Sequence, residues 1–130
     1  MSLNDTLSNA MSKILNLEKV GKKECMIKPT SKIIKETLIL LNEEGYLGAF
    51  EEVEDGRGKY LKLNLLSNIN ECGAIKPRFA VTLKDYEKFE KRYLPAKDFG
   101  VLLVSTSKGV MTHYKAKEKK MGGRLIAYCY

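Results

Sequence analysis

Tryptophan is absent from the 130-residue chain, and histidine occurs once, at His113. A single imidazole excludes multi-histidine metal centres and the helical His-Glu-x-x-His zinc motif. Cysteine is scarce and odd in number. Cys25, Cys72 and Cys129 lie far apart in sequence and form no C-x-x-C pair, so they read as reduced, small apolar side chains. No apolar run approaches the ~20 residues that a membrane-spanning helix needs. The opening Met1-Ser2-Leu3-Asn4-Asp5 lacks the basic and apolar regions of a signal peptide, so the expected location is the cytoplasm, with no membrane partner. Phosphate and nucleotide motifs are missing too. Gly56-Arg57-Gly58-Lys59 would need glycine at Val53 and a hydroxyl at Tyr60 to be a phosphate loop. Leu61 stands where the third glycine of a dinucleotide fingerprint belongs, and there is no G-x-S-x-G elbow.

What is present is an ordinary globular balance, 44% hydrophobic and 30% charged, with an excess of positive charge. A chain of this length buries roughly two thirds of its unfolded surface and needs no disulfide or metal to hold it. The net charge is +7, and it is unevenly spread. Residues 1–60 carry 9 basic and 10 acidic side chains, whereas residues 61–130 carry 14 and 6. The second half should therefore face an anionic partner: nucleic acid first, an acidic membrane or protein after it. A basic soluble protein with no polyanion partner is the plainer alternative.

Hydrophobic spacing predicts a helix over residues 5–19, capped by Asn4 or Asp5 and ended by Gly21. A short strand follows over 24–29. A second helix over 31–44 has Thr30 or Ser31 as its cap and Gly45 as its stop. Strands over 46–53 and 61–65 flank the turn Asp55-Gly56-Arg57-Gly58. The first half thus reads α-β-α-β-β. After a polar connection at 66–70, residues 74–81 are expected to be extended, with Pro77 at an edge or bulge. Tyr86, Phe89 and Tyr93 mark one face of a short helix over 84–92, supported by Glu87 and Lys91 and closed by Pro95. Phe99–Val104 is a buried strand. Thr112 caps a basic helix reaching about Lys120, Gly122-Gly123 turns the chain, and Arg124–Tyr130 is the last strand.

The buried strand delivers Ser105, Thr106, Ser107, Lys108 and Gly109, expected as a loop at the sheet edge. Three hydroxyls, each both donor and acceptor, suit a ribose, a base edge or a phosphate. Lys108, with Lys115, Lys117, Lys119, Lys120 and Arg124 close behind, extends the positive surface. A turn that merely precedes the helix at Thr112 is the alternative. Tyr86, Phe89 and Tyr93 fit core packing better than base stacking, and the lysine run fits an exposed helix face. His113 reads as a surface residue at the helix start. Ser105 or Ser107, His113 and Asp98 can be drawn as a hydrolase triad, but no motif supports it.

These residues carry a family resemblance. Val104-Ser105-Thr106-Ser107-Lys108-Gly109-Val110-Met111-Thr112 followed by Gly122-Gly123-Arg124-Leu125-Ile126-Ala127-Tyr128 resembles the signature of the eighth protein of the small ribosomal subunit, a universal family. Asn4–Asn9, Lys28-Pro29-Thr30-Ser31-Lys32 and Glu44-Gly45-Tyr46 extend the likeness over nearly the whole chain. Cys72–Phe79 and Lys91–Ala96 are similar to the archaeal and eukaryotic branch.

The resemblance implies an α+β fold of two small α/β domains. Residues 1–66 would form the N-terminal one, and residues 67–130 a C-terminal, mostly β domain with short helices that binds rRNA. It implies a non-enzymatic, cofactor-free structural protein; a monomer is the separate expectation for the free chain. Such a protein binds a helix in the central domain of small-subunit rRNA, helps assemble the platform beside neighbouring ribosomal proteins, and in bacterial relatives represses a ribosomal-protein messenger. A non-ribosomal basic module binding RNA or protein is the alternative. By motif, Ser105, Thr106 and Ser107 would touch bases and sugars, Lys108 a phosphate, and Gly109 would allow backbone approach. Lys120 and Arg124 would add charge, and Thr30, Ser31 and Lys32 backbone contacts. One departure is Lys115, where the family has an acidic residue. The reciprocal half of the capping box is lost there, which predicts a weaker short helix.

Overall fold

The computed structural model describes residues 6–28, 32–56, 58–76, 78–96 and 99–130. Two compact units follow one another along the chain, Met1–Asn70 and Glu71–Tyr130. Together they contain helices and antiparallel sheets, an α+β fold.

In the first unit the elements are α1 (Thr6–Lys19), β1 (Glu24–Ile27), α2 (Lys32–Glu43), β2 (Leu47–Asp55) and β3 (Gly58–Leu65). This is the α-β-α-β-β order expected from hydrophobic spacing. The strands form an antiparallel sheet in the order β1-β3-β2. Cys25 pairs with Leu63 and Ile27 with Leu61, so these four buried side chains share one face. Leu7, Met11 and Ile14 of α1 and Ile34, Leu38 and Leu41 of α2 are buried with them. Both helices end alike. Gly21 (φ +80°) donates to Glu18 O while Lys22 donates to Leu17 O, and Gly45 (φ +83°) donates to Asn42 O while Tyr46 donates to Leu41 O. Each is a Schellman close, with glycine in the left-handed position that other residues resist. The expected caps at Asn4 or Asp5 and at Thr30 or Ser31 lie outside the described residues.

The second unit contains β4 (Cys72–Ala74), β5 (Ala80–Val81), α3 (Tyr86–Tyr93), β6 (Val101–Thr106), β7 (Gly109–Thr112), α4 (His113–Glu118) and β8 (Gly123–Cys129). Its sheet runs β4-β8-β6-β7, with β5 also pairing β8. Val101–Val104 are buried without alternation, because β6 lies between β8 and β7 and is covered by side chains on both faces. Tyr86, Phe89 and Leu94 pack with Leu102, Val104, Met111, Ala116 and Leu125 in the core. Tyr86 and Phe89 are thus core residues, as their spacing suggested. Glu87 and Lys91 form the expected ion pair at 3.7 Å, fully in solvent.

Three expectations change. In place of one extended stretch over 74–81, β4 ends at Ala74 and β5 covers Ala80–Val81, and the two pair with opposite ends of β8; Pro77 lies outside the described residues. Residues 109–112 form a strand that the sequence did not announce. His113 is buried, not a surface residue. The three cysteines are free and buried, as read from the sequence, and Cys72 faces Cys129 in register across β4 and β8.

Candidate nucleic-acid interface

Ser105 and Thr106 belong to β6 rather than to a loop. The chain reverses in two residues, Ser107 and Lys108, and returns as β7, with Thr106 opposite Gly109. Among the described residues positive φ outside glycine occurs only at Ser67 and Lys120, so this turn is not of the mirror-image type that hairpins favour. Gly109 (φ +110°) instead takes up the twist. A Cβ there would meet nothing within 4 Å, so backbone conformation, not space, calls for glycine.

The three hydroxyls differ in availability. Thr106 Oγ1 donates to Gly109 O (2.8 Å) and accepts the Lys108 N–H (3.1 Å), so it is committed to holding the turn. Ser105 is half-buried. Ser107 and Lys108 are exposed at the tip. A rigid reversal therefore presents one free-standing alcohol and one cation.

Arg124 stands beside this hairpin, opposite Ser105 in the β6–β8 register, and is exposed. The glycines before it are packing devices rather than a turn. A Cβ on Gly122 would stand 2.5 Å from Val81 O, and one on Gly123 would strike the Ser105 backbone. β8 enters the sheet between β5 and β6, and only glycine lets it pass.

Lys120 lies in the connection from α4 to β8. Its φ is +58°, its N–H donates to Lys117 O, and Met121 N–H donates to Ala116 O. This is the same Schellman close that Gly21 and Gly45 make for α1 and α2, here built on a lysine.

The short helix α4 is better anchored than Lys115 suggested. Thr112 Oγ1 still accepts the Lys115 N–H (3.3 Å). His113, 0% exposed, accepts the Leu102 N–H at Nδ1 (3.0 Å), which leaves the ring proton on Nε2. Nε2 is 3.2 Å from Glu90 Oε1 on α3. Glu90 also pairs with Lys117, which withdraws that lysine from the run of cations expected to face a partner. His113 thus packs between Leu102 and Glu90, hydrogen-bonded at Nδ1. The Asp98 of the drawn triad lies outside the described residues.

Ser105, Thr106, Ser107, Lys108, Gly109 and Arg124 come together at one corner of the sheet, with Lys120 in the connection leading to it. Lys32 belongs to the other unit, and Thr30 and Ser31 lie outside the described residues. Lys32 lines a cleft of about 580 Å³ with Lys28, Lys35, Lys59, Tyr60 and Glu52. Lys35 Nζ is 2.7 Å from Glu52 Oε1, and its hydrogen bond and charge hold that carboxyl below the usual range. Sequence reasoning missed Lys28, Lys35 and Lys59, which lie just after β1, on α2 and on β3 and line one cleft only in the folded unit.

Charge follows the units. Residues 1–70 carry 10 basic and 10 acidic side chains, and residues 71–130 carry 13 and 6. Among the described residues no cluster of three or more His, Cys, Asp or Glu side chains is placed to hold a metal. Among the described residues no helix is long and apolar enough to cross a membrane. A family model described as "Ribosomal protein S8" matches residues 5–130.

Proposed function

The chain belongs to the ribosomal protein S8 family, and we propose that it binds the central domain of small-subunit rRNA through the β6–β7 hairpin and helps assemble the platform. Members are structural proteins of the small ribosomal subunit, which bind small-subunit rRNA beside neighbouring ribosomal proteins. The observation that carries the finer reading is the hairpin tip. Thr106 consumes its own hydroxyl to immobilise the turn, so Ser107 and Lys108 meet a ribose or base edge and a phosphate with little ordering cost. Arg124 and Lys120 add charge at the same corner. Lys32, with Lys28 and Lys59, supports a second backbone contact from the first unit, for which Thr30 and Ser31 are further candidates.

The protein acts without catalysis or cofactor, in the cytoplasm, as a monomer before assembly, and a ribosomal-protein messenger carrying a similar RNA fold is a second ligand. The test is a ribonuclease footprint of small-subunit rRNA with wild type and with Ser107→Ala. Protection confined to a central-domain helix and weakened by the substitution is expected. Protection elsewhere, or none, would remove the assignment.

A further inference from the structure

Beside the hairpin corner lies an open slot of about 510 Å³ lined by Val81, Thr82, Leu83, Lys84, Lys120 and Gly122. Its chemistry is unusual for a surface depression. Leu83 is 43% exposed, a large apolar side chain left in solvent on a turn. Lys84 and Lys120 line the same slot, and among the described residues no carboxylate does. The nearest acid in sequence, Asp85, is directed back to Thr82, accepting its N–H (3.0 Å) and its hydroxyl (3.1 Å). That closure fixes the turn that carries Leu83 and Lys84.

A second observation concerns Lys120. Two of the three Schellman closes described above place glycine in the left-handed position. At α4 a lysine accepts that strain, although glycine would relieve it. Backbone strain kept at a charged residue on the rim of a depression points to a use for the charge. The slot is also joined to the strand that carries the hairpin. Gly122, which lines it, directly precedes Gly123, which packs against the Ser105 backbone.

We infer that this slot seats one nucleotide of the bound RNA, with a backbone phosphate between Lys84 and Lys120 and the sugar or base face on Leu83. The inference rests on the reading of the hairpin as an RNA contact and extends it to a residue, Leu83, that carries no charge. An apolar platform between two cations suits an unstacked nucleotide better than a regular duplex, whose bases are hidden.

The experiment uses the full chain and a small-subunit rRNA transcript. Binding is titrated with salt for wild type, Ser107→Ala and Lys84→Ala. Separately, Leu83→Cys is labelled with a thiol-reactive photo-crosslinker, the three native cysteines being buried. Lys84→Ala is expected to reduce the slope of log affinity against log salt by about 0.7–0.9, the value of one phosphate contact. The Leu83→Cys probe is expected to attach to the RNA. Both results are required. If Ser107→Ala weakens binding while Lys84→Ala keeps the slope or the probe finds no RNA, the slot is overturned and the hairpin stands. If Ser107→Ala binds as wild type does, the hairpin reading itself falls. Attachment of the probe to a neighbouring protein in reconstituted subunits, and not to RNA, would also overturn the proposal.

Discussion

Gly123 runs so close to Ser105 that a Cβ added to it would stand 2.3 Å from the Ser105 carbonyl oxygen. The first residue of β8 therefore sets the position of the strand that carries the hairpin. The obstacle is backbone, which cannot rotate away as a side chain could. Gly123→Ala should destabilise the second unit by about 1–3 kcal/mol, the usual penalty of overpacking. Thermal unfolding measures this. An unchanged midpoint would mean that β8 can shift without cost.

Thr106 and Ser107 are adjacent hydroxyl residues with opposite expected behaviour. Thr106→Val removes both hydrogen bonds that close the turn, so it should cost about 1–2 kcal/mol of stability. Ser107→Ala removes an exposed hydroxyl and should leave stability within about 0.5 kcal/mol, while weakening rRNA binding by about 1–3 kcal/mol. Urea unfolding and filter binding on the two variants separate the roles. Equal effects of both on stability would contradict the turn geometry.

Lys120→Gly makes an opposing pair of predictions. Relief of the left-handed lysine at φ +58° should stabilise the free protein by about 0.5–1 kcal/mol. Loss of the cation should lower rRNA affinity and flatten its salt dependence. A variant that is both less stable and less tightly bound would show that the lysine serves the fold instead.

Asp85 predicts a pH effect. The Thr82 N–H, followed by the Thr82 hydroxyl, holds its carboxyl below the usual Asp range. The folded value is depressed, so the stabilisation is present above the ordinary Asp pKa, about 3.9, and is lost as pH falls through the lower folded value. Its side chain is open to solvent, so the effect on global stability is small. Carbon-detected titration of Asp85 should show a midpoint below the ordinary value, and Thr82→Val should raise it. A midpoint unmoved by Thr82→Val would break the link between the two residues.

His113→Leu should cost about 2–4 kcal/mol, because the buried Leu102 N–H loses its acceptor and Glu90 loses a neighbour. A surface histidine, as first read, would change stability by less than about 0.5 kcal/mol. Chemical denaturation distinguishes the two cleanly.

The first unit was largely legible because its signals are local. Apolar residues at Leu7, Met11 and Ile14 and at Ile34, Leu38 and Leu41 repeat with the helical period, and Gly21 and Gly45 supply the left-handed stops. The second unit was less so. β7 is four residues long and its alternation is broken by the hairpin, while β4 and β5 are too short to show a period. Their pairing with opposite ends of β8 is non-local.

Residue type and order established the element sequence, the uneven charge and the cluster of hydroxyls with a lysine after a buried strand, because each depends on near neighbours in the chain. Only the tertiary structure decided which hydroxyl is free. That depends on Gly109 turning its carbonyl back to Thr106. It likewise decided that His113 is buried between Leu102 and Glu90, and that Gly122 and Gly123 are required by contacts with Val81 and Ser105. Such contacts join residues distant in sequence, and their energy is set by packed distances that no local pattern records.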